Sequence, residues 1–79
     1  MPYTQEIVDE LNMLVRYNLS TTQEGIKVHK KEAAADIVAA TKRLYDKGLV
    51  TQEDGGYLTH LGHEAAEQAQ TLLTLLHPA

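Results

Sequence analysis

The chain is 79 residues long, with 7 basic and 11 acidic side chains, a net charge of -4, 43% hydrophobic residues and no cysteine. This length suits one small domain, which we expect to span residues 1–79, and leaves little room for an elaborate active site. The lack of cysteine excludes a disulfide framework, a thiolate zinc finger and a thiol nucleophile.

The first predicted element is an amphipathic helix from Thr4 to about Asn18, with Thr4 as its N-cap. Apolar residues recur along it at steps of three and four, which is the period of a helix with one buried face. Glu10 is predicted on the opposite, charged face. The apolar residues are Ile7, Val8, Leu11, Leu14 and Val15.

Residues 20–29 fit two structures. A hydroxyl residue followed three positions later by Gln or Glu, within residues 20–24, is typical of a capping box that opens a helix. Residues 26–29 instead alternate apolar and polar side chains, which indicates a half-buried strand. We expect a short turn of helix followed by extended chain.

A second helix is predicted from about Lys31 to Lys47, because apolar residues return to the helical period. Gly48 follows it and supplies the left-handed conformation that ends many helices. Two β-prone runs then flank Asp54-Gly55-Gly56, which predicts a tight β-hairpin. Thr59 is the predicted N-cap of a last helix that continues to His77-Pro78.

The order of these elements, together with two motifs, resembles the winged helix-turn-helix family. The second helix ends in Lys47-Gly48-Leu49-Val50, and the hairpin returns through Leu58-Thr59-His60-Leu61-Gly62. Many bacterial transcription regulators of that family carry similar segments on either side of the wing. The resemblance covers about Ala33 to Ala69 and implies a mainly α fold with a small β-hairpin wing.

In length and character the chain is also similar to a small group of uncharacterised proteobacterial proteins labelled as DNA-binding. It departs from the winged-helix pattern in two places. The segment before Ala33 is a poor first helix for a helix-turn-helix, because it holds Gly25 and the alternating run. The wing carries Glu53 and Asp54 at its tip, where DNA-binding wings usually carry Arg or Lys.

Charge is unevenly distributed along the chain. Residues 26–47 hold six basic and three acidic side chains, whereas the rest of the chain holds Arg16 and eight acidic side chains. In a helix-turn-helix this segment meets the major groove and the phosphates, and small residues such as Ala35 and Ala39 leave few side chains to recognise bases. The predicted DNA-binding residues are Lys27, His29, Lys30, Lys31, Lys42 and Arg43. The alternative is a solvated face whose cations pair with nearby acids, and Asp36 in that face favours it.

The last helix carries four leucines within five positions, more than a domain of this size is expected to bury alone. We therefore predict a homodimer through this helix, since exposed apolar patches mark interfaces. The alternative is that the helix folds back on the first helix and its last turn frays. The predicted dimer interface comprises Leu61, Ala65, Ala69, Leu72, Leu73 and Leu76.

The sequence does not favour an enzyme. His60, His63, Glu64 and Glu67 share a helix face but match no ligand pattern, so we expect no metal and no other cofactor. The carboxylate pairs are adjacent in sequence, which does not suit acid–base chemistry across a cleft, and no glycine-rich phosphate loop is present.

Two functions remain from different classes. The first is a small transcriptional regulator or accessory protein that binds duplex DNA through residues 27–47. The second is a dimeric protein-interaction module on the same scaffold that does not bind DNA. We expect a cytoplasmic location without a membrane span, because there is no basic and apolar leader pattern and no apolar run near the ~18 residues of a spanning helix.

Overall fold

The computed structural model describes residues 2–21, 24–29 and 31–77. Within them the strands form one antiparallel sheet in the order β1-β3-β2. This confirms the predicted fold class, which is mainly α with a small β-hairpin wing. The elements are α1 (Gln5–Leu14), β1 (Ile26–Lys27), α2 (Ala35–Asp46), β2 (Val50–Gln52), β3 (Gly55–Leu58) and α3 (His60–Leu76).

Helix α1 begins as predicted and ends four residues early. The Oγ1 of Thr4 accepts a hydrogen bond from the backbone N–H of Ile7 (3.2 Å), so Thr4 is the N-cap. After Leu14 the chain tightens, and the N–H of Tyr17 donates to the carbonyl of Leu14 (3.3 Å). This turn carries the ring of Tyr17 into the core, where it is 4% exposed.

The buried face of α1 is only partly the predicted one, since Leu14 is buried and Val8 and Val15 are half-buried as expected. Met13 and Leu14 are buried, but Glu10 is buried beside them, whereas Ile7 and Leu11 remain 40% and 38% exposed. The assignment of Glu10 to the outer face was therefore wrong. Its carboxylate faces inward because cations on α2 meet it there, as described below.

The segment before α2 is extended where alternation predicted it. Strand β1 pairs with β3, with Ile26 opposite Gly56. The short helix was predicted within residues 20–24. Residues 20, 21 and 24 are not helical, and residues 22 and 23 lie outside the described residues. Residues 31–34 form a turn closed by bonds from Glu32 and Ala33 to the carbonyl of His29. In residues 24–29 and 31–34 there is thus no first helix of a helix-turn-helix.

Helix α2 ends at the glycine that the sequence indicated. Gly48 has φ 77°, and its N–H donates to the carbonyl of Tyr45 (2.9 Å). The N–H of Leu49 donates to the carbonyl of Leu44 (2.9 Å), which completes a Schellman motif. The buried face of the helix comprises Ala40, Thr41 and Leu44.

The hairpin turns slightly earlier than predicted. Gln52 pairs with Gly55, so Glu53 and Asp54 form the turn, and the register shifts between Val50 and Gln52. Gly55, with φ 119°, lies so close to the carbonyl oxygen of Ile26 that a side chain there would collide with β1. This glycine therefore allows β1 and β3 to pair.

Thr59 joins the end of α2 to the start of α3. Its Oγ1 donates to the carbonyl of Gly48 (2.6 Å) and accepts from the N–H of Gly62 (3.0 Å), so it is the predicted N-cap. Its N–H also donates to the carbonyl of Leu49 (3.1 Å). These bonds bring Gly62 against the carbonyl oxygen of Leu49, which leaves no space for a Cβ.

The core lies between the three helices and the sheet. Tyr17 crosses it and donates from its hydroxyl to the carbonyl of Gly56 (3.3 Å). Burial, together with the negative charge of Asp54, raises the pKa of the Tyr17 hydroxyl. The buried core comprises Met13, Leu14, Tyr17, Val28, Ala40, Leu44, Val50 and Ala66.

In the described residues no helix combines the length and apolar character needed to cross a bilayer.

Candidate nucleic-acid interface

The cations in the second half of α2 and at its C-cap, Lys47, are engaged within the chain. Lys42 Nζ pairs with Asp46 Oδ2 at 3.2 Å, one helical turn away. Arg43 Nε donates to Glu10 Oε2 at 3.0 Å, and Lys47 Nζ donates to the other carboxylate oxygen of Glu10. Two of these three cations therefore hold α2 against α1.

Glu10 is the centre of this arrangement. Its side chain is 8% exposed. Burial alone would raise its pKa, but the hydrogen bonds from Lys47 and Arg43 and their positive charges outweigh burial and lower the pKa below the usual 4.5. The carboxylate is thus kept ionised by its two partners.

Arg43 and Lys42 consequently differ in how readily they can bind a phosphate from outside the chain. Arg43 points toward α1 and is 27% exposed, so a phosphate would have to displace a buried carboxylate to bind it. Lys42 is 57% exposed and its surface pair with Asp46 is weak, so Lys42 can still reach an outside anion. Lys42 is therefore the more accessible of the two predicted DNA-binding residues on α2.

Three of the basic side chains that precede α2 lie close together. Arg16, Lys27 and His29 line one groove of about 370 Å³, together with Glu32 and an apolar floor. Among the described residues, these three and the exposed Lys31 form no ion pair. Lys30, also predicted to contact DNA, lies outside the described residues. We call this groove, lined by Arg16, Lys27 and His29, the basic groove; the exposed Lys31 lies two positions after His29 in the chain.

The outward face of α2 carries mostly small, apolar side chains rather than basic ones. Ala35, Val38, Ala39 and Lys42 line a trough of about 320 Å³, and Glu53 from the wing closes it. Ala35, Ala39 and Lys42, which we predicted to face the DNA major groove, share this exposed surface. We call this surface the apolar trough.

The residues of the predicted dimer interface on α3 fall into two groups, one packed inward and one exposed. Ala69 is 9% exposed, and Ala65 packs against the chain's own core. The leucines are open to solvent, with exposed fractions of 55% for Leu61, 55% for Leu72, 41% for Leu73 and 66% for Leu76. Only the leucines are therefore free to meet a second chain.

The histidines at the start of α3 form local pairs. His60 Nε2 lies 3.4 Å from Glu64 Oε1, and His63 Nδ1 lies 3.2 Å from Glu67 Oε1. Each pair joins neighbouring turns of one helix. In the part of the chain that the structure describes, no three His, Asp or Glu side chains come together as metal ligands would.

Two residues of these surfaces were not singled out from the sequence. Arg16 was assigned to the outer face of α1 but not to the DNA surface, because only the fold brings it beside Lys27. Glu10 was treated as an exposed acid, although it follows Glu6 at the spacing of one helical turn. No pattern in the sequence indicates that its partners lie 33 and 37 residues away.

The fold and these surfaces define a small, mainly helical domain with a β-hairpin wing, one basic groove and a separate leucine-rich helix end. The chain belongs to a family of unknown function, DUF5669, whose model matches residues 1–77. No curated protein and no solved structure matches it.

Proposed function

We propose that the protein is a small, non-enzymatic DNA-binding protein of the cytoplasm that contacts duplex DNA through the basic groove. The observation that supports this proposal is the separation of its cations. Those of the groove are exposed and unpaired among the described residues, whereas Arg43 and Lys47 are held by Glu10. Free cations on one surface of an otherwise acidic chain favour phosphate contacts there.

Binding of this kind depends more on the DNA backbone than on base sequence. Phosphate contacts position a protein on the duplex, while base-edge contacts supply specificity. Lys42 is the one long basic side chain that lines the apolar trough on α2. We therefore expect weak sequence preference and a role as an accessory protein or a simple regulator.

The first test is an amide NMR titration of the protein with a mixed-sequence duplex at low ionic strength. We expect shifts at Arg16, Lys27, His29 and Lys31 that fade when salt is added, because phosphate contacts release counterions. No shifts at low salt would overturn the proposal.

Two single-lysine variants locate the binding surface. We expect Lys27→Gln to weaken duplex binding several-fold and to reduce the salt slope by about 0.9, the value of one phosphate contact. Lys42→Gln removes the same charge from another exposed lysine, which already pairs with Asp46, and we expect a smaller effect. Fluorescence anisotropy with a labelled duplex measures both. If Lys42→Gln weakens binding more than Lys27→Gln, the DNA lies along α2 and the basic groove is the wrong surface.

The apolar trough favours a second candidate, a protein-interaction module. Three apolar side chains line it beside Lys42 and the acidic Glu53, which suits an amphipathic helix better than a phosphate. The same titration separates the two functions. A duplex that leaves every amide unchanged favours the interaction module, whereas salt-sensitive shifts in the basic groove favour DNA.

A further inference from the structure

The surface next to the basic groove carries an exposed aromatic ring. Tyr57 on β3 is 46% exposed, and with Lys27 it lines a second, shallow groove of about 250 Å³. Ile26 and Lys27 line both this groove and the basic groove. The two grooves therefore meet at β1, and we call the second one the tyrosine groove.

Contacts with the two neighbouring strands hold Tyr57 in place. Ile26 on β1 is paired with Gly56 on β3, so the adjacent residues Gly25 and Tyr57 lie side by side. A Cβ at Gly25 would lie 3.2 Å from Cε1 of Tyr57, which shows that the ring lies against this glycine. The N–H of Tyr57 also donates to Oγ1 of Thr51 on β2 (3.0 Å). The position of the ring is thus fixed while much of the residue stays open to solvent.

Lys27 gives the tyrosine groove a positive charge. Among the described residues that line this groove, Lys27 is the charged one, and it forms no ion pair within the part of the chain that the structure describes. Its ammonium group is therefore available to a phosphate. A free cation beside an exposed aromatic ring is the combination by which proteins hold unpaired nucleic acid, since the cation contacts the backbone and the ring stacks on a base.

A fully paired duplex cannot use this ring. In a duplex the faces of the bases are stacked on one another, so a protein reaches the phosphates, the sugars and the base edges. An unpaired base exposes its face, which can stack on an aromatic side chain. Tyr57 therefore favours DNA with unpaired bases over fully paired DNA.

We propose that the tyrosine groove binds locally unpaired bases of a DNA strand whose phosphates lie along the basic groove, with Tyr57 stacked on one of these bases. Lys27 lines both grooves and contacts the phosphate between them. This preference rests on the proposed DNA binding and specifies the kind of DNA that the protein takes. Base stacking of this kind tolerates any sequence, because every base has an aromatic face.

Fluorescence anisotropy at low ionic strength tests the preference with two labelled duplexes of equal length. One duplex is fully paired and the other has a central run of T·T mismatches, so both carry the same number of phosphates. We expect the wild type to bind the mismatched duplex about 10-fold more tightly, the contribution of one stacked base. Equal affinities would overturn this preference and leave the proposed DNA binding in place, whereas no binding of either duplex would overturn both.

Variants that keep the size of the side chain identify the role of the ring. Tyr57→Leu removes the aromatic face and should bind both duplexes with the affinity of the wild type for the paired one. Tyr57→Phe keeps the ring and should keep the preference. Circular dichroism checks that the variants are folded.

Tyr45→Leu is the matched control, because Tyr45 is 40% exposed but lies on α2 and lines neither groove. This variant should prefer the mismatched duplex as the wild type does. A Tyr57→Leu variant that retains the preference would show that the ring only covers the strands, and the proposal would fail. It would fail equally if Tyr45→Leu lost the preference to the same extent.

Discussion

Gly62 occupies a position that admits no side chain, because the carbonyl oxygen of Leu49 fills the space of a Cβ. Gly48 is glycine for a different reason. Its φ of 77° is unfavourable for other residues, although a Cβ there would meet no atom within 4 Å. One glycine therefore serves close packing and the other serves backbone conformation.

These two reasons predict different costs of substitution. We expect Gly62→Ala to lower the free energy of unfolding by about 3 kcal/mol, because a backbone carbonyl must move away. Gly48→Ala should cost about 1 kcal/mol, the strain of a left-handed alanine. Urea denaturation followed by circular dichroism measures both variants. Equal losses would show that the contact with Leu49 does not constrain Gly62.

At the scale of elements, ion pairs at the interface of α1 and α2 orient both helices. Glu10 on α1 receives Arg43 and Lys47 from α2, and Arg43 also donates to the carbonyl of Glu6 (3.3 Å). This buried carboxylate explains why Ile7 and Leu11 stay partly exposed. Turning those two residues inward would take Glu10 away from its cations.

Stability should therefore depend on the charge of Glu10. Because its pKa is lowered in the folded chain, the contribution of Glu10 is present above its ordinary pKa of 4.5 and is lost as the pH falls through the lower, folded value. We expect Glu10→Gln to cost about 1–3 kcal/mol at pH 7, since two cations lose their partner. It should also reduce the loss of stability below pH 4.5.

Urea denaturation of the wild type and Glu10→Gln across this pH range provides the measurement. Glu6→Gln is the control, because the Glu6 side chain is 72% exposed and lies 3.8 Å from Arg43, so its loss should change little. If wild type and Glu10→Gln had the same stability at every pH, the ion pairs would not hold α1 to α2.

At the scale of the whole molecule, the uneven charge of the chain becomes a spatial separation. Lys27 and His29 lie with Arg16 in the basic groove, while the wing carries Glu53 and Asp54 at its turn. The net charge of -4 opposes phosphate binding elsewhere on the surface. A duplex is therefore expected to approach from one direction.

The salt dependence of binding reports how many such grooves engage one duplex. If Arg16, Lys27 and Lys31 each neutralise one phosphate, the slope of log affinity against log salt is about -2.7 for one protomer and about -5.4 for a dimer. Between 50 and 200 mM salt these slopes lower the affinity roughly 40-fold and roughly 2,000-fold. Anisotropy titrations at several salt concentrations measure the slope, and a value near zero would contradict phosphate binding.

Much of the fold was predictable because its signals are local. Thr4 and Thr59 cap their helices through bonds to residues three positions away, and Gly48 ends α2 by its own backbone freedom. The hairpin likewise depends on neighbouring residues. Such interactions act within a few positions, so the residue types alone indicate them.

The candidate surfaces depended on contacts between distant segments. The sequence placed Arg43 among the DNA-binding residues, but its contact with Glu10 spans 33 positions. Tertiary packing also buried Ala69 while leaving Leu73 and Leu76 in solvent, although all three lie on one helical seam. Periodicity determines which residues share a face of a helix, but only the packing of elements decides whether that face meets the core, an ion pair or water.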